Sequence, residues 1–495
     1  MRRRTHSYWL LLLIGMLWRH PCSAQSFQIT ERCKQAYQQA LSLNFTPAKI
    51  LLNEEKRQSP KNYFPIFLEN YIDFLTVFTS ESHRAYEALH PNKDMRLEQL
   101  QQSDALSPYC RYTQAEVNLQ WAVLEVQQGD YFQAVWSIQR AYNLLQENKK
   151  IFPQFLPNKK SLGLINALLS SVPDSYKWGL TLLGMSADAD GFRELRELQQ
   201  QADNDFLFRQ ETTILYSLLL FHLQHQPAQA WQLLQQQHLP APQALMERYA
   251  YLYVAVYGKH TDAALNLRQQ ASNFAADNDR FPQLHLLMGL AYLNSGENTE
   301  AAGFLNRFLM VYKGSNHLKA ALQKLAWINA LKGDTAGYFT RMNELLKTGA
   351  TVIDADKQAQ QEATSRQFPD VPLLRARLLF DGGYFQKALE ALPPENTRAS
   401  ALWQTEYSYR KARILHEWGR TAEALTAYQK TINNGKQLNR YFAPNAAYQM
   451  GLIYLDQGDT TRAREYFNYT LNFQNHEYKN SLDQKAKAAL NQLKK

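Results

Sequence analysis

Small and apolar residues recur in one fixed frame along much of the chain. The clearest copy is the stretch AYQMGLIYLDQGDTTRAREYFNYTL near the C-terminus. Within it, Gly451 and Tyr454 precede Gly458 at helical spacing, and Ala463 and Phe467 follow it. Glycine at position 458 suits the end of a helix, because it adopts the positive φ of a C-cap without strain. The frame therefore predicts two helices that pack closely across a short turn.

Weaker copies of this frame lie upstream, with small residues, a turn glycine and bulky apolar residues at matching positions. They contain Ala36, Ala48 and Leu52; Ala122, Gly129, Ala134 and Ile138; Gly258, Ala263 and Leu267; Gly289, Tyr292, Gly296, Ala301 and Leu305; Ala326, Gly333, Tyr338 and Met342; Ala376, Gly383, Ala388 and Leu392; and Ala412, Gly419, Ala424 and Tyr428. Recurrence of one helix-turn-helix unit predicts an all-α solenoid, in which neighbouring units share a continuous core.

This frame resembles the tetratricopeptide repeat, in which an apolar–Gly pair, an aromatic residue, a turn glycine, an alanine and a second aromatic residue recur. The resemblance implies a repeat fold that holds other proteins. A central segment has a Gly-bearing apolar helix followed by Pro173, Trp178-Gly179 and Gly191. It is similar to the tetratricopeptide family that includes the fungal inclusion-body clearance proteins and their animal relatives. Those eukaryotic proteins are intracellular, so this second resemblance implies repeat architecture alone.

Breaks in the frame divide the chain into predicted segments. Pro173 interrupts any long helix in its neighbourhood, and the polar stretch from Thr351 to Gln367 lengthens one repeat. The predicted segments are a signal peptide over residues 1–24, N-terminal tetratricopeptide-like helices over 25–150, an irregular helical insertion over 151–201, middle repeats over 202–350, an extended helix or linker over 351–369, C-terminal repeats over 370–477 and a capping helix over 478–495.

The first residues follow the pattern of an export signal. Three arginines at positions 2–4 precede an apolar stretch from Tyr8 to Trp18, which is shorter than the roughly 20 residues that span a bilayer. Small residues at Cys22 and Ala24 then frame a cleavage site before Gln25. We expect the protein to be exported, with the periplasm favoured over release outside the cell. After cleavage, no transmembrane span is expected. An uncleaved anchor and lipid attachment at Cys22 are the alternatives.

Charge does not point to nucleic acid. The chain has 54 Lys+Arg against 45 Asp+Glu, a balance of +9. Removing the leader takes away four arginines and no acid, which leaves 50 against 45. The cations occur in scattered pairs such as Lys149-Lys150, without a basic stripe. Nucleic acid is therefore not an expected partner.

Two cysteines would remain after cleavage, Cys33 and Cys110. Export would place them in an oxidising compartment, where a disulfide between them would pin the first helices. The alternative is two buried thiols, because spacing alone says nothing about geometry.

No motif for catalysis or for a cofactor occurs in the sequence. It has no Gly-rich phosphate loop, no nucleophile elbow, no His-Glu-x-x-His and no paired Cys motif. His222 and His225 lie three residues apart, but no further ligand is adjacent, so half-buried or solvated histidines are favoured over a metal site. We expect neither an enzyme nor a bound cofactor or metal.

The expected function is the binding of a partner protein or peptide on the concave face that the first helices of the repeats would form. Counting along the frame gives the residues expected on that face: Arg377, Asp381, Tyr409, Arg413, His416, Glu417, Tyr448, Leu452 and Asp456. The alternative is a glycan-binding helical repeat protein associated with an outer membrane, in which exposed aromatic rings would stack on sugars.

Overall fold

The computed structural model describes residues 26–172, 177–186, 189–236, 244–270, 277–395 and 397–493. In these ranges the chain forms α-helices and no β-strand, which confirms the predicted all-α fold. None of the helices in these ranges has the length and apolar character needed to cross a membrane. The predicted signal peptide, Pro173 and the side chain of Trp178 lie outside the described residues.

The chain divides into two compact units at the junction between Ala250 and Tyr251. The helices that begin in the first unit are α1 Glu31–Leu41, α2 Phe45–Gln58, α3 Phe64–Ser80, α4 His83–Leu89, α5 Asn92–Gln101, α6 Pro108–Gln128, α7 Tyr131–Ile151, α8 Leu156–Ser170, α9 Lys177–Leu182, α10 Gly191–Gln201, α11 Arg209–His222, α12 Pro227–Gln236 and α13 Leu245–Tyr257. The helices of the second unit are α14 Thr261–Gln270, α15 Gln283–Ser295, α16 Asn298–Val311, α17 Leu318–Leu331, α18 Thr335–Lys347, α19 Asp354–Ser365, α20 Val371–Asp381, α21 Phe385–Glu390, α22 Ala401–Glu417, α23 Thr421–Gly435, α24 Phe442–Asp456, α25 Thr460–Asn472 and α26 Lys479–Gln492.

Helix α6 forms the centre of the first unit and is buried along most of its length, polar residues included. Its polar side chains are accommodated by hydrogen bonds, as buried polar groups require. Trp121 Nε1 donates to Asn70 Oδ1 at 2.9 Å, and Asn70 Nδ2 donates to Gln120 Oε1 at 2.7 Å. These bonds join α6 to α3.

A buried ionic network ties four helices of the first unit together. Lys160 Nζ lies 2.7 Å from Glu116 Oε2 and 2.9 Å from Glu211 Oε1, and Tyr37 donates its hydroxyl to Glu211 Oε2 at 2.7 Å. Lys160 on α8 is 1% exposed, so its charge has almost no water to solvate it. The two carboxylates on α6 and α11 supply that solvation instead.

The repeat frame produces helix pairs in the second unit, as predicted. The pairs are α15 with α16, α17 with α18, α20 with α21, α22 with α23, and α24 with α25. The turn glycines of these five pairs have a positive φ, from 78° to 93°, namely Gly296, Gly333, Gly383, Gly419 and Gly458. At Gly258 the next residue, Lys259, has the positive φ instead. The frame therefore places its glycines where the first helix of each pair ends.

The close approach that the sequence predicts at Gly451 is present. A Cβ at this position would lie 2.6 Å from Cε1 of Phe467, whose ring is fully buried between α24 and α25. Only a residue without a side chain allows the ring to lie this close to the backbone of α24.

Residues 354–365, within the segment predicted to be an extended helix or linker, form α19, which packs on α17 and α18. Asp356 is buried and accepts hydrogen bonds from the backbone N–H groups of His317, at 2.7 Å, and Ala320, at 2.9 Å. It thus caps the start of α17 from a distant point in the chain. This contact fixes α19 against the repeats.

Two further predicted segments contain helices. In residues 151–201, α8 and α10 touch so closely that a Cβ on Gly191 would overlap the backbone of Ala167 and Gly163. The final helix α26 buries Leu482, Ala486 and Ala489 on one face.

Candidate binding groove

A large groove of about 1390 Å³ opens in the second unit. One face of α19 forms a wall, and the starts of α20, α22, α24 and α26 contribute most of the remainder. The residues that α19 places in the groove are Asp354, Lys357, Gln358, Gln361, Glu362 and Ser365. Their spacing of three or four residues means that this helix presents one polar stripe to the groove along its whole length.

Glu362 fixes the α19 wall to α17 and α18. Its Oε1 accepts hydrogen bonds from Trp327 Nε1 at 2.7 Å and from the hydroxyl of Tyr338 at 3.3 Å. Its Oε2 accepts one from Gln323 Nε2 at 2.5 Å. A carboxylate that accepts three side-chain donors holds the polar stripe in place before any ligand arrives.

Two cations lie over the indole ring of Trp327. Lys324 Nζ is 3.9 Å and Arg377 Cζ is 4.9 Å from the ring centroid. Burial, and then the positive charge of Arg377, lower the pKa of Lys324 to about 7, against the opposing effect of Glu362. The indole therefore orients Arg377, which lines the groove, by a cation–π contact.

Trp403 and Arg398 meet at one carboxylate of the groove. Trp403 Nε1 donates to Asp370 Oδ2 at 3.0 Å, and Arg398 Nη2 lies 3.2 Å from the same oxygen. Asp370 also caps α20 by accepting a hydrogen bond from the N–H of Leu373 at 3.1 Å. The acid is thus fully engaged within the protein.

An aromatic cluster forms the groove surface between α22 and α26. The ring of Tyr441 lies 5.6 Å from Tyr478 and 4.5 Å from Phe442, measured between centroids. Arg410 Nη2 lies 2.8 Å from Glu406 Oε1, and its guanidinium is 5.9 Å from the Phe442 ring. Tyrosine, tryptophan and arginine are the residue types that contribute most to protein-binding hot spots.

Of the nine residues predicted on the concave face, Arg377 lines this groove. Tyr409 lies behind the groove surface, where its hydroxyl donates to Asn445 Oδ1 at 3.1 Å and its ring packs against Tyr441 and Phe442. Burial raises the pKa of Tyr409 to about 12. Tyr409 supports the aromatic cluster and is 6% exposed.

Glu417, another of the predicted residues, contacts the turn between α13 and α14, and Arg413 pairs with Glu417. Lys259 Nζ lies 3.3 Å from Glu417 Oε2 and 5.0 Å from the Phe380 ring, and Arg413 lies 5.5 Å from the same ring. Arg413 Nη2 also lies 3.3 Å from Glu417 Oε1. The chain itself therefore covers part of the predicted strip, which the repeat frame could not show.

The remaining predicted residues do not line the groove. Asp381 Oδ2 lies 3.8 Å from Arg377 Nε, and His416 Nδ1 lies 3.2 Å from the hydroxyl of Tyr428. Tyr448 packs against Phe467, Leu452 is half-buried and Asp456 is exposed. The groove residues that the frame did not indicate include Glu362, Trp403, Arg410, Tyr441 and Tyr478.

Cys33 and Cys110 are free and buried, so the structure has no disulfide between them. Burial raises the pKa of the Cys33 thiol. Of the two alternatives that the sequence leaves open, the structure has the buried thiols. Cys110 Sγ accepts a hydrogen bond from Gln114 Nε2 at 3.4 Å within its own helix α6.

The described part of the chain contains no group of three or more His, Cys, Asp or Glu side chains arranged to hold a metal ion. His222 ends α11 and His225 follows it with a positive φ of 53°; both side chains are exposed.

The tetratricopeptide repeat family matches residues 444–468, which cover most of α24 and the first part of α25. This match identifies the chain as a protein that contains a tetratricopeptide repeat, as the sequence predicts. The chain is also similar to two solved structures. A monomeric mutant of IFIT1 with Gppp-AAAA has 15% identity over 85% of this chain and 90% of that one, with a TM-score of 0.29. The APC/C hetero-tetramer Cut9–Hcn1 has 12% identity over 93% and 96%, with a TM-score of 0.24. No curated protein matches.

Proposed function

We propose that this protein is an exported, non-catalytic scaffold that binds a segment of a partner protein in the groove of its second unit. The observation that supports this most is the composition of the groove, where Tyr441, Tyr478 and Trp403 lie among arginines. Such residues supply large contact areas at a small cost in side-chain entropy. The volume of about 1390 Å³ is larger than the ~300–1,000 Å³ of small-molecule sites, so a polymer segment fits it better.

The proposal of export rests on the leader at residues 1–24 and places the function in the periplasm or outside the cell. Mass spectrometry of the protein from its native host tests it. We expect a mature chain that begins at Gln25, and a cytoplasmic protein of full mass would contradict export.

Site-specific photo-crosslinking in the native host tests the groove. A benzophenone amino acid at Gln361, which is exposed and lines the groove, should capture one partner. The same amino acid at Thr364 is the matched control, since this residue is exposed on α19 but does not line the groove. Gln361→Trp should block capture of that partner by a crosslinker elsewhere in the groove, whereas Thr364→Trp should not. Equal capture from positions 361 and 364 would contradict groove binding.

A glycan-binding function is the second candidate. The groove combines amide side chains, such as Gln358 and Gln361, with the exposed ring of Tyr478. Amides and aromatic faces together suit sugar hydroxyls and sugar rings. Binding to a glycan array that is abolished by Gln361→Trp, without a crosslinked protein, would favour this candidate over the scaffold.

A further inference from the structure

The groove of the second unit has more basic than acidic side chains. Its lining contains seven Lys and Arg against five Asp and Glu. The basic residues are Lys357, Arg377, Arg398, Arg410, Arg440, Lys479 and Lys485, and the acidic residues are Asp354, Glu362, Asp370, Glu406 and Glu477. Because this excess is small, the charge of a ligand that fits the groove depends on which of these side chains are already paired with other groups of the same chain.

All five acids are occupied. Asp370, Glu406 and Glu362 are engaged as described above. The remaining two, Asp354 and Glu477, pair with Lys357 at 3.3 Å and with Arg440 at 2.5 Å. A cationic ligand would have to displace one of these partners. An anionic ligand would likewise have to displace a partner at six of the seven cations, but not at Lys485.

The one cation of the groove lining without an acidic partner among the described residues lies on α26. Lys485 is exposed on α26 and has no acidic partner among the described residues. Residues 478–482 line the groove, so the N-terminus of this helix opens into it. Tyr478, at the N-cap, has a φ of 59° and gives no side-chain cap, which leaves the first backbone N–H groups without that partner. Unpaired N–H groups and the helix dipole both favour an anion here.

A buried histidine at the same end provides an independent observation. His476 lines the groove, is 9% exposed, and has Nδ1 2.8 Å from the carbonyl oxygen of Glu477, so Nδ1 carries the hydrogen. Its Nε2 is buried and has no hydrogen-bond partner in the described part of the chain. A ligand group that forms a hydrogen bond with Nε2 would satisfy this nitrogen, which otherwise carries the free-energy cost of an unpaired buried polar group.

The acids that line the groove also distinguish between two kinds of anionic ligand, a nucleic acid and an acidic polypeptide. A single-stranded nucleic acid carries a charge on every phosphate, and it would meet Glu406, Asp370 and Glu362 along the groove. A polypeptide can place carboxylates only near the start of α26 and apolar side chains against Tyr441 and Phe442. The distribution of charge therefore favours a peptide.

We propose that the occupant of the groove is an extended acidic polypeptide segment, whose carboxylates bind at the start of α26 near Lys485 and Arg440. This inference rests on the proposed function and adds the chemistry of the partner. The polar stripe of α19, with Gln358 and Gln361, then faces the backbone of the segment, because amide side chains can both donate to and accept from a peptide group.

Fluorescence anisotropy with the mature full-length chain tests the charge of the ligand. The probe is a fluorescein-labelled peptide of alternating glutamate and leucine, compared with peptides in which glutamine or lysine replaces glutamate, and with labelled oligoadenylate. We expect saturable binding of the glutamate peptide, weakened by high salt, with an affinity about tenfold or more above that of the glutamine peptide. Equal affinity for the two peptides, tighter binding of oligoadenylate, or no saturable binding of the glutamate peptide would overturn the proposal.

Matched variants locate the site. The double substitution Arg440→Gln with Lys485→Gln should weaken binding of the glutamate peptide about tenfold. Lys487→Gln on the same helix, outside the groove, should leave binding unchanged. Equal effects of the two variants would show that the charge effect is not at the start of α26. Crosslinking of a partner from position 361 without any preference for acidic peptides would retain the proposed function and overturn only this inference.

Discussion

Glu362 accepts a hydrogen bond from Trp327 Nε1 at 2.7 Å and so joins α19 to the repeat pair α17–α18. The same carboxylate accepts donors from Gln323 and Tyr338. Because α19 forms a whole wall of the groove, the position of that wall depends on Glu362 together with Asp356. Trp327, in turn, orients Arg377 by the cation–π contact.

We expect Glu362→Gln to loosen α19 without unfolding the chain. The amide of glutamine has one acceptor oxygen and would direct its NH₂ group at a donor, so the hydrogen-bond network would lose about 1–3 kcal/mol. Hydrogen exchange of the backbone amides in α19 measures the effect, and exchange should become faster. Glu344→Gln is the control, because Glu344 lies on the surface of α18 and pairs with Arg341 there. Equal exchange rates in the two variants would contradict the role of Glu362.

Gly451→Ala should destabilise the protein by about 1–3 kcal/mol, because the added methyl group would lie 2.6 Å from the buried ring of Phe467. Gly303→Ala is a matched control inside helix α16, where a Cβ meets no atom within 4 Å. That substitution should stabilise the helix by about 0.5–1 kcal/mol through propensity alone. Urea unfolding followed by circular dichroism compares the two variants. Stabilisation by Gly451→Ala would mean that Phe467 moves freely.

Lys160→Met should destabilise the first unit by about 3–5 kcal/mol, because it leaves the buried Glu116 and the half-buried Glu211 without a cation. Lys159→Met, next in sequence but partly exposed, should have little effect. Urea unfolding of both variants at neutral pH provides the measurement. A loss equal to that of Lys159→Met would show that the buried network contributes little.

The cost of Lys160→Met should also depend on pH. Burial raises the pKa of Glu116 even with Lys160 present to lower it, so removing the lysine raises that pKa further. A folded-state pKa above the unfolded value means that the folded state binds more protons, so stability falls as pH rises above the ordinary value of 4.5. We expect a smaller difference from the wild type at pH near 5 than at neutral pH. A pH-independent difference would argue against buried carboxylates as its cause.

Cys33 and Cys110 should behave as protected free thiols. Iodoacetamide should label neither in the folded protein, because both are buried. Without any reductant, it should label both after unfolding in guanidinium. Mass spectrometry counts the added groups. An unfolded, unreduced chain that takes up no label would instead indicate a disulfide.

The repeat frame was enough to predict the helix pairs and their turns, because those features depend on residues close in sequence. Gly458 and Ala463 are examples, because the turn that Gly458 allows and the helix crossing that Ala463 allows both lie within the α24–α25 pair. The capping helix predicted over residues 478–495 corresponds to α26, which buries Leu482, Ala486 and Ala489.

The groove could not be predicted in the same way, because it depends on contacts between distant parts of the chain. Asp356 fixes α19 by capping the start of α17, where it accepts a hydrogen bond from the N–H of Ala320, 36 positions earlier in the chain. From the sequence alone, the polar residues of α19 therefore predicted only an extended helix or linker. Tyr409 was assigned to an exposed face, but Tyr441 and Phe442 from the next repeat cover it.

The contact of the α13–α14 turn with α20 and α21 has a consequence for how the second unit unfolds. A Cβ on Gly383 would overlap the carbonyl oxygen of Lys259, and Tyr384 donates its hydroxyl to Asp262 at 2.5 Å across 122 positions of the chain. A repeat array that touches only its nearest neighbours loses its terminal units one after another. Here α14 and the turn before it contact a repeat in the middle of the second unit. Unfolding that starts from the N-terminal end of this unit must therefore break both contacts at once. Under mechanical pulling, the second unit should therefore stay folded until these two contacts break and then unfold in a single large step.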